Sequence, residues 1–326
     1  MLPLVTVFMA AYNAEAHIQY AIESILNQSY QDFELLIVDD GSTDSTVKIV
    51  NSYTDQRIRL IQNSKNEGLI YTRNIALTEA QGKLLAILDS DDIATPNRLA
   101  IQVSEFSKRP RLGILGSPAT VIDQWGQQTG RRLEQPTGAQ KVFTTLLFRN
   151  PIVHSSMMLR MEAFKQIGGY QNHPYAEDYD LIIRIAYHYE IDNFPQPLVA
   201  YRMHEASTSS IYKYEMAHQL YLIKKEQIDY LKANLDPTIL LEHPAHNKLS
   251  LADYRKSLSE LIQCNRVKAI YPRDYLEKSI LDLWFEAILY KSDKNSCWQF
   301  FDRRIFSWKH VRFKQIRKVV KLAFKK

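Results

Sequence analysis

The first hundred residues alternate short strand-like segments with segments of helical periodicity. Residues 4–9, 33–38, 57–61 and 84–88 have the β-branched or apolar character of strands. Apolar residues recur at helical spacing in the segments that follow them. A repeated strand–helix order favours a mostly parallel sheet with helices on both faces. The sequence therefore predicts an α/β fold.

Polar residues follow three of the four predicted strands. Tyr12-Asn13 comes after the first strand, Asp39-Asp40 after the second, and Asp89-Ser90-Asp91-Asp92 after the fourth. The carboxyl ends of parallel strands share one edge of a sheet, and ligands bind outside that edge. These residues therefore predict a single site.

The segment 89–92 places three carboxylates in four positions. Their mutual repulsion is costly unless a cation or extensive hydrogen bonding neutralises it. Oxygen ligands suit Mg²⁺ or Mn²⁺, which take one or two carboxylates together with substrate phosphates. A solvated turn that caps the next helix explains the segment about equally well when it is taken alone.

Two further acidic segments have both a functional and a structural explanation. Asp39 and Asp40 at a strand end can accept hydrogen bonds from a base or a ribose, although an Asp-Gly turn explains them by itself. Glu177 and Asp178 can include a general base for a hydroxyl acceptor. An acidic helix start, favoured by the helix dipole, explains that pair as well. Asp180 is expected to pair with Arg184 one turn later.

The composition is that of a globular protein, with 45% hydrophobic and 24% charged residues. The two cysteines have no CxxC spacing, which predicts a reducing, cytoplasmic compartment without disulfides. No basic leader precedes the first strand, so a signal peptide is not expected. No apolar run approaches the roughly 18 residues of a spanning helix, so the chain is not predicted to be an integral membrane protein.

Several motifs in consistent order resemble family 2 glycosyltransferases with the GT-A fold. Each motif is moderately specific and the ordered set is highly specific over roughly residues 4–205. The motifs are residues 5–13, 24–30, 33–44, Asn66-Glu67-Gly68 with Arg73-Asn74, the acidic cluster 89–92, and the Glu-Asp segment 175–181.

The resemblance implies a GT-A type, Rossmann-like catalytic domain over residues 1–205. Its nucleotide-sugar half would span 1–110 and its acceptor half 110–205, followed by a helical C-terminal region over 206–326. Ala10 and Ala11 stand where relatives often carry a hydroxyl residue, so one base contact is expected to be missing. The donor-nucleotide positions implied are Ala10, Tyr12, Asn13, Glu15, Asp39, Asp40, Asn66, Gly68, Arg73, Asp89 and Ser90.

The resemblance also assigns the metal and the catalytic positions. Asp91 is the expected direct ligand of Mn²⁺ or Mg²⁺, and Asp89 is shared with the ribose. Asp178 is the expected base, with Glu177 orienting the acceptor. The weaker candidates are Asp92 and His204 for the metal, and His154 and Arg184 for the acceptor. A lone histidine is more often structural, which weighs against both histidines.

The chain ends in a basic segment. Residues 303–326 contain ten Lys or Arg and no Asp or Glu, so this segment has a charge of +10. The net charge of the whole chain is +5, so residues 1–302 alone have a net charge of −5. At 100° per residue, Ile316, Val319 and Ala323 share one side and most cations lie opposite. This pattern slightly favours a peripheral contact with an anionic membrane. A helix docked on the protein and a nucleic-acid contact are the alternatives.

These observations predict an inverting, metal-dependent glycosyltransferase. Its donor would be a nucleotide diphosphate sugar, with UDP favoured, and its acceptor a hydroxyl of a polysaccharide, an oligosaccharide or a lipid-linked glycan. Nucleic acid is not an expected partner. A nucleotidyltransferase would normally carry a Gly-rich phosphate loop with a lysine after the first strand, where this chain has residues 10–13, Ala-Ala-Tyr-Asn. A non-catalytic nucleotide-binding protein on the same scaffold is the second alternative.

Overall fold

The structure is a computed structural model that describes residues 2–203 and 212–324 of the 326. The strands are β1 Val5–Ala11, β2 Phe33–Asp39, β3 Ile58–Gln62, β4 Leu84–Ile87, β5 Ile93–Ala94, β6 Leu112–Gly116, β7 Ala119–Ile122, β8 Gln128–Leu133, β9 Met158–Arg160, β10 Glu190–Asn193 and β11 Val199–Arg202. The helices are α1 Ile18–Leu26, α2 Thr46–Asn51, α3 Leu69–Asn74, α4 Ala76–Glu79, α5 Arg98–Lys108, α6 Ala139–Thr145, α7 Met161–Gln166, α8 Glu177–Ala186, α9 Lys213–Leu231, α10 Thr238–Leu241, α11 Leu251–Lys268, α12 Arg273–Lys291 and α13 Phe313–Ala323. Short 3-10 helices cover His154–Ser156 and Cys297–Phe301.

The strand–helix alternation predicted for the first hundred residues is confirmed. Every residue of β2 is buried, as expected for a central strand covered on both faces. Helix α1 buries Ile18, Ala21, Ile22 and Ile25, which is one face at helical spacing.

Seven strands form the main sheet in the order β10-β6-β9-β4-β1-β2-β3. Strand β1 lies between β2 and β4 and pairs with both in parallel. The chain runs from β1 through β2 to β3 on one side and then returns to β4 on the other, so the strand order reverses at β1. A crevice opens at such a reversal, outside the carboxyl ends of the strands. The polar residues Tyr12-Asn13 follow β1, and the polar segment 89–92 follows β4.

The remaining strands differ from a simple parallel repeat. Strand β9 pairs antiparallel with β4 and β6 inside the main sheet. A second sheet has the order β5-β11-β7-β8. The mostly parallel α/β sheet with flanking helices is therefore present, and the strands after β4 add antiparallel pairs that the linear pattern did not resolve.

The chain divides into two compact units. The first comprises residues 1–142 and 150–216, and the second comprises 143–149 and 217–326. The second unit is helical and has its own apolar core, in which Trp284, Leu258 and Ile280 are fully buried. Segment 143–149 belongs to the second unit, although it is distant in sequence from the rest of that unit.

Helix α13, within the basic tail, packs on the core of the second unit. Val319 is fully buried there, and Ile316, Leu322 and Ala323 pack around the same core. The apolar side that the sequence analysis considered for a membrane is therefore occupied within the protein. Among the residues that the structure describes, no helix combines the length and hydrophobicity required to cross a bilayer.

Candidate active site

A cavity of about 700 Å³ lies at the carboxyl ends of β1 and β4. Residues from widely separated parts of the first unit reach it, as the polar segments after the strands predicted. Tyr12 is half exposed beside Ala10 and Ala11 on its wall. The predicted site residues that line the cavity are Ala10, Tyr12, Asn13, Asp40, Asn66, Arg73, Asp89, Ser90, Asp91, His154, Glu177 and Asp178.

Asn13 connects the end of β1 to the loop after β2. Its backbone has a φ of 47°, a left-handed conformation that Asn adopts more readily than most residues. Its backbone N–H donates to Ser42 Oγ at 2.9 Å, and its Oδ1 accepts from the Thr43 N–H at 2.9 Å. Glu15 supports the same loop by accepting from the Ser45 N–H at 2.8 Å. Asn13 therefore lies on the cavity wall, whereas the carboxylate of Glu15 holds the neighbouring loop.

Asp40 holds the loop that carries Asn66. Its Oδ1 accepts from Asn63 Nδ2 at 2.8 Å and from the Glu67 N–H at 2.9 Å, and its Oδ2 accepts from the Gly68 N–H at 2.9 Å. Burial alone would raise the pKa of Asp40, but these hydrogen bonds outweigh it and lower the pKa below the usual range. Asp40 is therefore an ionised anchor of the loop over residues 63–68.

The next residue, Gly41, allows the β2 loop to approach this segment closely. Its φ is 74°, and a Cβ built there would lie 2.5 Å from the Lys65 carbonyl carbon. No other residue has room at this position without moving the backbone. Asp39 is buried and accepts from the Ser42 N–H at 3.0 Å, so its carboxylate contributes to the same turn and does not line the cavity.

Arg73 connects side chains from three separate segments at the cavity. Its guanidinium donates to Glu177 Oε1, lies 3.4 Å from Asp89 Oδ1 and lies 3.3 Å from His154 Nδ1. Burial would lower the pKa of Arg73, but the charges of Glu177 and Asp89 outweigh it and raise the pKa above its usual value. This buried cation fixes two acidic segments that lie far apart in the sequence.

Asp89 is held on several sides. Ser155 Oγ donates to its Oδ2 at 2.8 Å, and His154 Nδ1 lies 3.2 Å from both of its oxygens. The other ring nitrogen of His154 lies 3.0 Å from the Tyr170 hydroxyl. Burial alone would raise the pKa of Asp89, whereas His154 and Arg73 together lower it well below the usual range. Asp89 is therefore ionised, and its orientation is fixed before any ligand binds.

The three acids of the 89–92 segment have different surroundings. Asp91 lines the cavity together with Ser90. Asp92 is buried behind it, and its Oδ1 accepts from the Arg202 N–H at 2.7 Å. Burial and repulsion by Asp91 and Asp89 raise the pKa of Asp92 well above the usual range. Asp91 thus faces the cavity, whereas Asp92 connects the segment to β11.

Asp178 also lines the cavity, in the first turn of α8. Asn150 Nδ2 donates to its Oδ2 at 2.9 Å, and the Tyr179 N–H donates to its Oδ1 at 2.7 Å. Burial raises the pKa of Asp178 and the charge of Glu177 adds to this, while His154 and Arg73 oppose it. A carboxylate with a raised pKa in a cavity has the properties of a general base.

The other predicted site residues lie outside the cavity lining. Gly68 donates its N–H to Asp40. Arg184 pairs with Asp180 at 2.6 Å and donates to the carbonyl oxygens of Ile167 and Gly169. The predicted Asp180–Arg184 pair is therefore confirmed, and Arg184 has a structural role in α8. His204 lies outside the described residues.

The sequence analysis missed several residues of the site. Asn150 and Ser155 hold the two key carboxylates, and no periodicity or charge cluster marks them. Tyr175 and Tyr212 stack with ring centroids 4.1 Å apart, and both line the cavity. Tyr175 has a φ of 66°, which is strained for a bulky residue and typical of functional sites. Their aromatic side chains are the signal that the sequence offers for these two residues.

Comparisons with known proteins identify a family for this chain. The Glycosyl transferase family 2 model matches residues 6–168. An uncharacterized glycosyltransferase of Haemophilus influenzae is 35% identical over 239 residues, which cover 70% of this chain and 74% of that protein.

A second relative is the UDP-Glc:alpha-D-GlcNAc-diphosphoundecaprenol beta-1,3-glucosyltransferase WfgD of Escherichia coli. It is 44% identical over 105 residues, which cover 32% of this chain and 42% of that protein. Among solved structures, S. aureus TarS 1–349 in complex with UDP-GlcNAc superposes with a TM-score of 0.59 at 21% identity, over 88% of this chain and 91% of that chain.

The family match includes the ends of β1 and β4 at the cavity, and the structural likeness extends over most of the chain. The predicted GT-A architecture is therefore confirmed. With these relatives and this cleft, the chain belongs to the family 2 glycosyltransferases, which use nucleotide sugars as donors.

Proposed function

We propose that this enzyme transfers a sugar from a nucleoside diphosphate sugar to a hydroxyl acceptor with inversion at the anomeric carbon. The observation that carries the proposal is one cavity that is lined both by Tyr12 and Asp91, which we call its donor wall, and by Asp178. A single displacement requires the leaving group and the base on opposite sides of the anomeric carbon. Because Asp178 belongs to α8 and not to the strand ends that carry Tyr12 and Asp91, we assign it to the acceptor side, and no covalent nucleophile is needed.

Asp178 acts as the general base. The acceptor hydroxyl gives its proton to the Asp178 carboxylate as its oxygen bonds to the anomeric carbon. The bond from that carbon to the donor phosphate oxygen breaks, and the nucleoside diphosphate leaves with the electron pair. The hydrogen bonds from Asn150 and from the Tyr179 N–H fix the orientation of the carboxylate. Positioned proton transfer of this kind contributes roughly 10²–10⁴-fold to a rate.

The donor wall fits a divalent cation held by few protein ligands. Within the described ranges, the acids of segment 89–92 do not form a group of three ligand atoms within 4.8 Å of one another. Mg²⁺ and Mn²⁺ often bind through one or two carboxylates plus substrate phosphates. Asp91, with help from Asp89, would hold the ion. The ion would supply charge stabilisation at the leaving diphosphate. Asp89 is ionised and held in place by Ser155 and His154, so the wall is preorganised.

The donor and the acceptor class rest on relatives. The structure of TarS holds UDP-GlcNAc, and WfgD is named for UDP-Glc and a GlcNAc-diphosphoundecaprenol acceptor. We therefore favour a UDP-sugar donor and a glycan or lipid-linked glycan acceptor, in polysaccharide biosynthesis. A location at the cytoplasmic face of the membrane belongs to the same proposal. It is supported by the lipid-linked acceptor and by Cys264 and Cys297, which are both free.

Release of nucleoside diphosphate tests the proposed function. We expect release from a UDP-sugar to require Mn²⁺ or Mg²⁺ and to be strongly stimulated by a glycan acceptor. The stereochemistry of the product, measured by NMR, should be inverted relative to the donor. Release of pyrophosphate from a nucleoside triphosphate and a sugar phosphate, in a parallel assay, would instead indicate a nucleotidyltransferase. Donor binding without any turnover over a panel of acceptors would indicate a non-catalytic binding protein.

A further inference from the structure

Helix α13 is held in one orientation on the second unit. Val319 and Gln315 are buried on its inner side. Gln315 Nε2 donates to Asp282 Oδ1 at 2.8 Å, and Arg312 Nη2 donates to the same oxygen at 2.7 Å. These contacts involve both the apolar and the polar groups of the inner side. They determine which residues the helix presents outward.

The outward face combines cations with exposed phenyl rings. At 100° per residue, Phe313, Arg317, Lys321 and Phe324 fall within one narrow arc opposite Val319. Phe313 is 80% exposed and Phe324 is 75% exposed. Eleven residues separate these two rings, which corresponds to about 16 Å along the helix axis. Two apolar rings therefore flank a row of cations on a face that covers no core.

The cations of this face differ from the other cations of the tail. Lys309 and Arg304 pair with Asp274 and Asp302. In the part of the chain that the structure describes, Lys314, Arg317 and Lys321 form no ion pair. Because residues 303–326 contain no Asp or Glu, the positive charge of this face is not neutralised from within the tail.

We propose that the outward face of α13 is a docking surface for an anionic lipid bilayer. Lys314, Arg317 and Lys321 meet the anionic headgroups, and Phe313 and Phe324 enter the boundary between headgroups and acyl chains. Interfacial binding combines these two contributions: apolar side chains at the boundary and basic residues at the anionic surface. Trp308, which is 75% exposed five residues before the helix, adds an aromatic residue of the kind enriched at membrane interfaces.

The pattern fits a bilayer better than a nucleic acid. Nucleic-acid binding rests mainly on cations that track phosphates, and aromatic residues contribute when successive bases stack on them. Here the two rings lie at opposite ends of a short helix with cations between them. A planar surface can accommodate both rings and all the cations at once. This proposal stands independently of the catalytic proposal, because neither Asp178 nor the donor wall takes part.

Vesicle flotation of the full-length chain tests the proposal. We expect the chain to bind vesicles that contain phosphatidylglycerol and not vesicles of phosphatidylcholine alone. Binding should weaken as salt increases, because the attraction is screened. The double variant Arg317→Gln/Lys321→Gln should bind about thirtyfold more weakly, since each cation near the surface contributes about fivefold in affinity. The variant Phe313→Ser/Phe324→Ser should lose about tenfold.

A matched control separates this face from general charge. Lys248 and Lys294 are exposed lysines elsewhere in the second unit. Lys248→Gln/Lys294→Gln removes the same charge, and its vesicle binding should stay within about twofold of the parent. All three variants change exposed residues, so their thermal unfolding should match that of the parent.

Two results would overturn the proposal. One is equal vesicle binding by the parent and by both α13 variants. The other is salt-sensitive binding to an oligonucleotide that exceeds vesicle binding and disappears in the same variants, which would assign the face to nucleic acid. Turnover on a lipid-free acceptor, measured for each variant, keeps the two proposals separate. We expect that turnover to be unchanged whichever way the vesicle test falls.

Discussion

Each compact unit contains a deeply buried cation, and the two cations have opposite environments. Arg73 in the first unit contacts Glu177, Asp89 and His154, and its pKa is raised above the usual value. Lys224 in the second unit donates to the Leu146 carbonyl oxygen and to Gln227 Oε1, and burial lowers its pKa well below the usual value. Carboxylates hold the first cation charged, whereas neutral oxygens contact the second.

The different surroundings of Arg73 and Lys224 indicate different roles for the two buried cations. Removing one partner of a buried ion pair is strongly destabilising, because it leaves the other charge buried and unpaired. The ion pairs of Arg73 with Glu177 and Asp89 therefore hold two segments of the cavity lining in position. Lys224 makes its contacts inside a helical core, where it joins segment 143–149 to α9. The ion pairs of Arg73 keep the charged groups of the cavity in place, whereas the hydrogen bonds of Lys224 support the packing of the helical core. Four variants test this comparison.

The largest effect is expected at the base. Asp178→Asn keeps the size of the side chain and removes its ability to take a proton. We expect kcat to fall by roughly 10²–10⁴-fold, because proton transfer in the transition state is lost. Steady-state release of nucleoside diphosphate measures this directly. The paired variant Asp180→Asn changes an acid that bonds Arg184 and does not line the cavity. A similar loss of turnover in both variants would argue against a specific base at 178.

The second effect concerns stability. Arg73→Met leaves Glu177 buried without its cation, and we expect the free energy of unfolding to fall by about 3–5 kcal/mol. Urea unfolding measures the change. Lys108 pairs with Glu105 at the surface, and Lys108→Met should change the same quantity by less than about 1 kcal/mol. An equal loss of unfolding free energy in the two variants would mean that the buried ion pairs of Arg73 stabilise the fold no more than a surface pair does.

The third variant tests the opposite pKa shift of Lys224. Burial lowers the pKa of Lys224 in the folded chain, so between that value and the ordinary value near 10.4 the unfolded chain binds the extra proton. Stability should therefore rise with pH across this window, by up to about 1.4 kcal/mol per pH unit. In Lys224→Met this rise should disappear. Urea unfolding of the parent and of Lys224→Met at several pH values measures this rise. If the free energy of unfolding rises with pH equally in both, Lys224 is not the titrating group.

The smallest effect is expected at Asn150. Asn150→Ala removes one donor to the Asp178 carboxylate, so we expect kcat to fall about tenfold. It should also move the acid limb of the rate–pH profile to higher pH, because the ionised base loses support. Glu177, Arg73, His154 and Tyr170 also face Asp178 and are unchanged in this variant.

A double variant shows whether Asn150 acts through the base. In the Asp178→Asn background, Asn150→Ala should have almost no further effect on kcat, because there is no longer a carboxylate to orient. Full additivity of the two effects would place Asn150 in a separate role.

The fold and the donor wall could be predicted well because they depend on local patterns. Strand periodicity and the polar residues at strand ends are local, and parallel pairing then brings Tyr12, Asp40 and Asp91 to one edge. The roles of individual acids could not be predicted in the same way. Asp39, Asp40 and Asp92 look equivalent in a sequence, yet the structure shows that backbone N–H groups already engage their carboxylates. The donor is nearby for Asp39, at Ser42, and distant for Asp40 and Asp92, at Glu67 and Arg202.

The acceptor half was less predictable for a related reason. Asn150 lies on irregular backbone and Ser155 in a three-residue 3-10 helix, and their importance follows from contacts across 28 and 66 residues. The orientation of α13 in the basic tail could not be predicted either. The amphipathic pattern of α13 was visible, but only packing shows that its apolar side faces the core of the second unit.

The central claim is that donor binding and proton removal are performed by different residues, Asp91 and Asp178, of one cavity. Calorimetric titration of a UDP-sugar with Mn²⁺ into Asp178→Asn and Asp91→Ala, together with turnover, tests it directly. We predict that Asp178→Asn binds the donor with nearly the parent Kd while losing turnover, and that Asp91→Ala loses donor affinity. Loss of donor affinity in Asp178→Asn with unchanged affinity in Asp91→Ala would contradict the account.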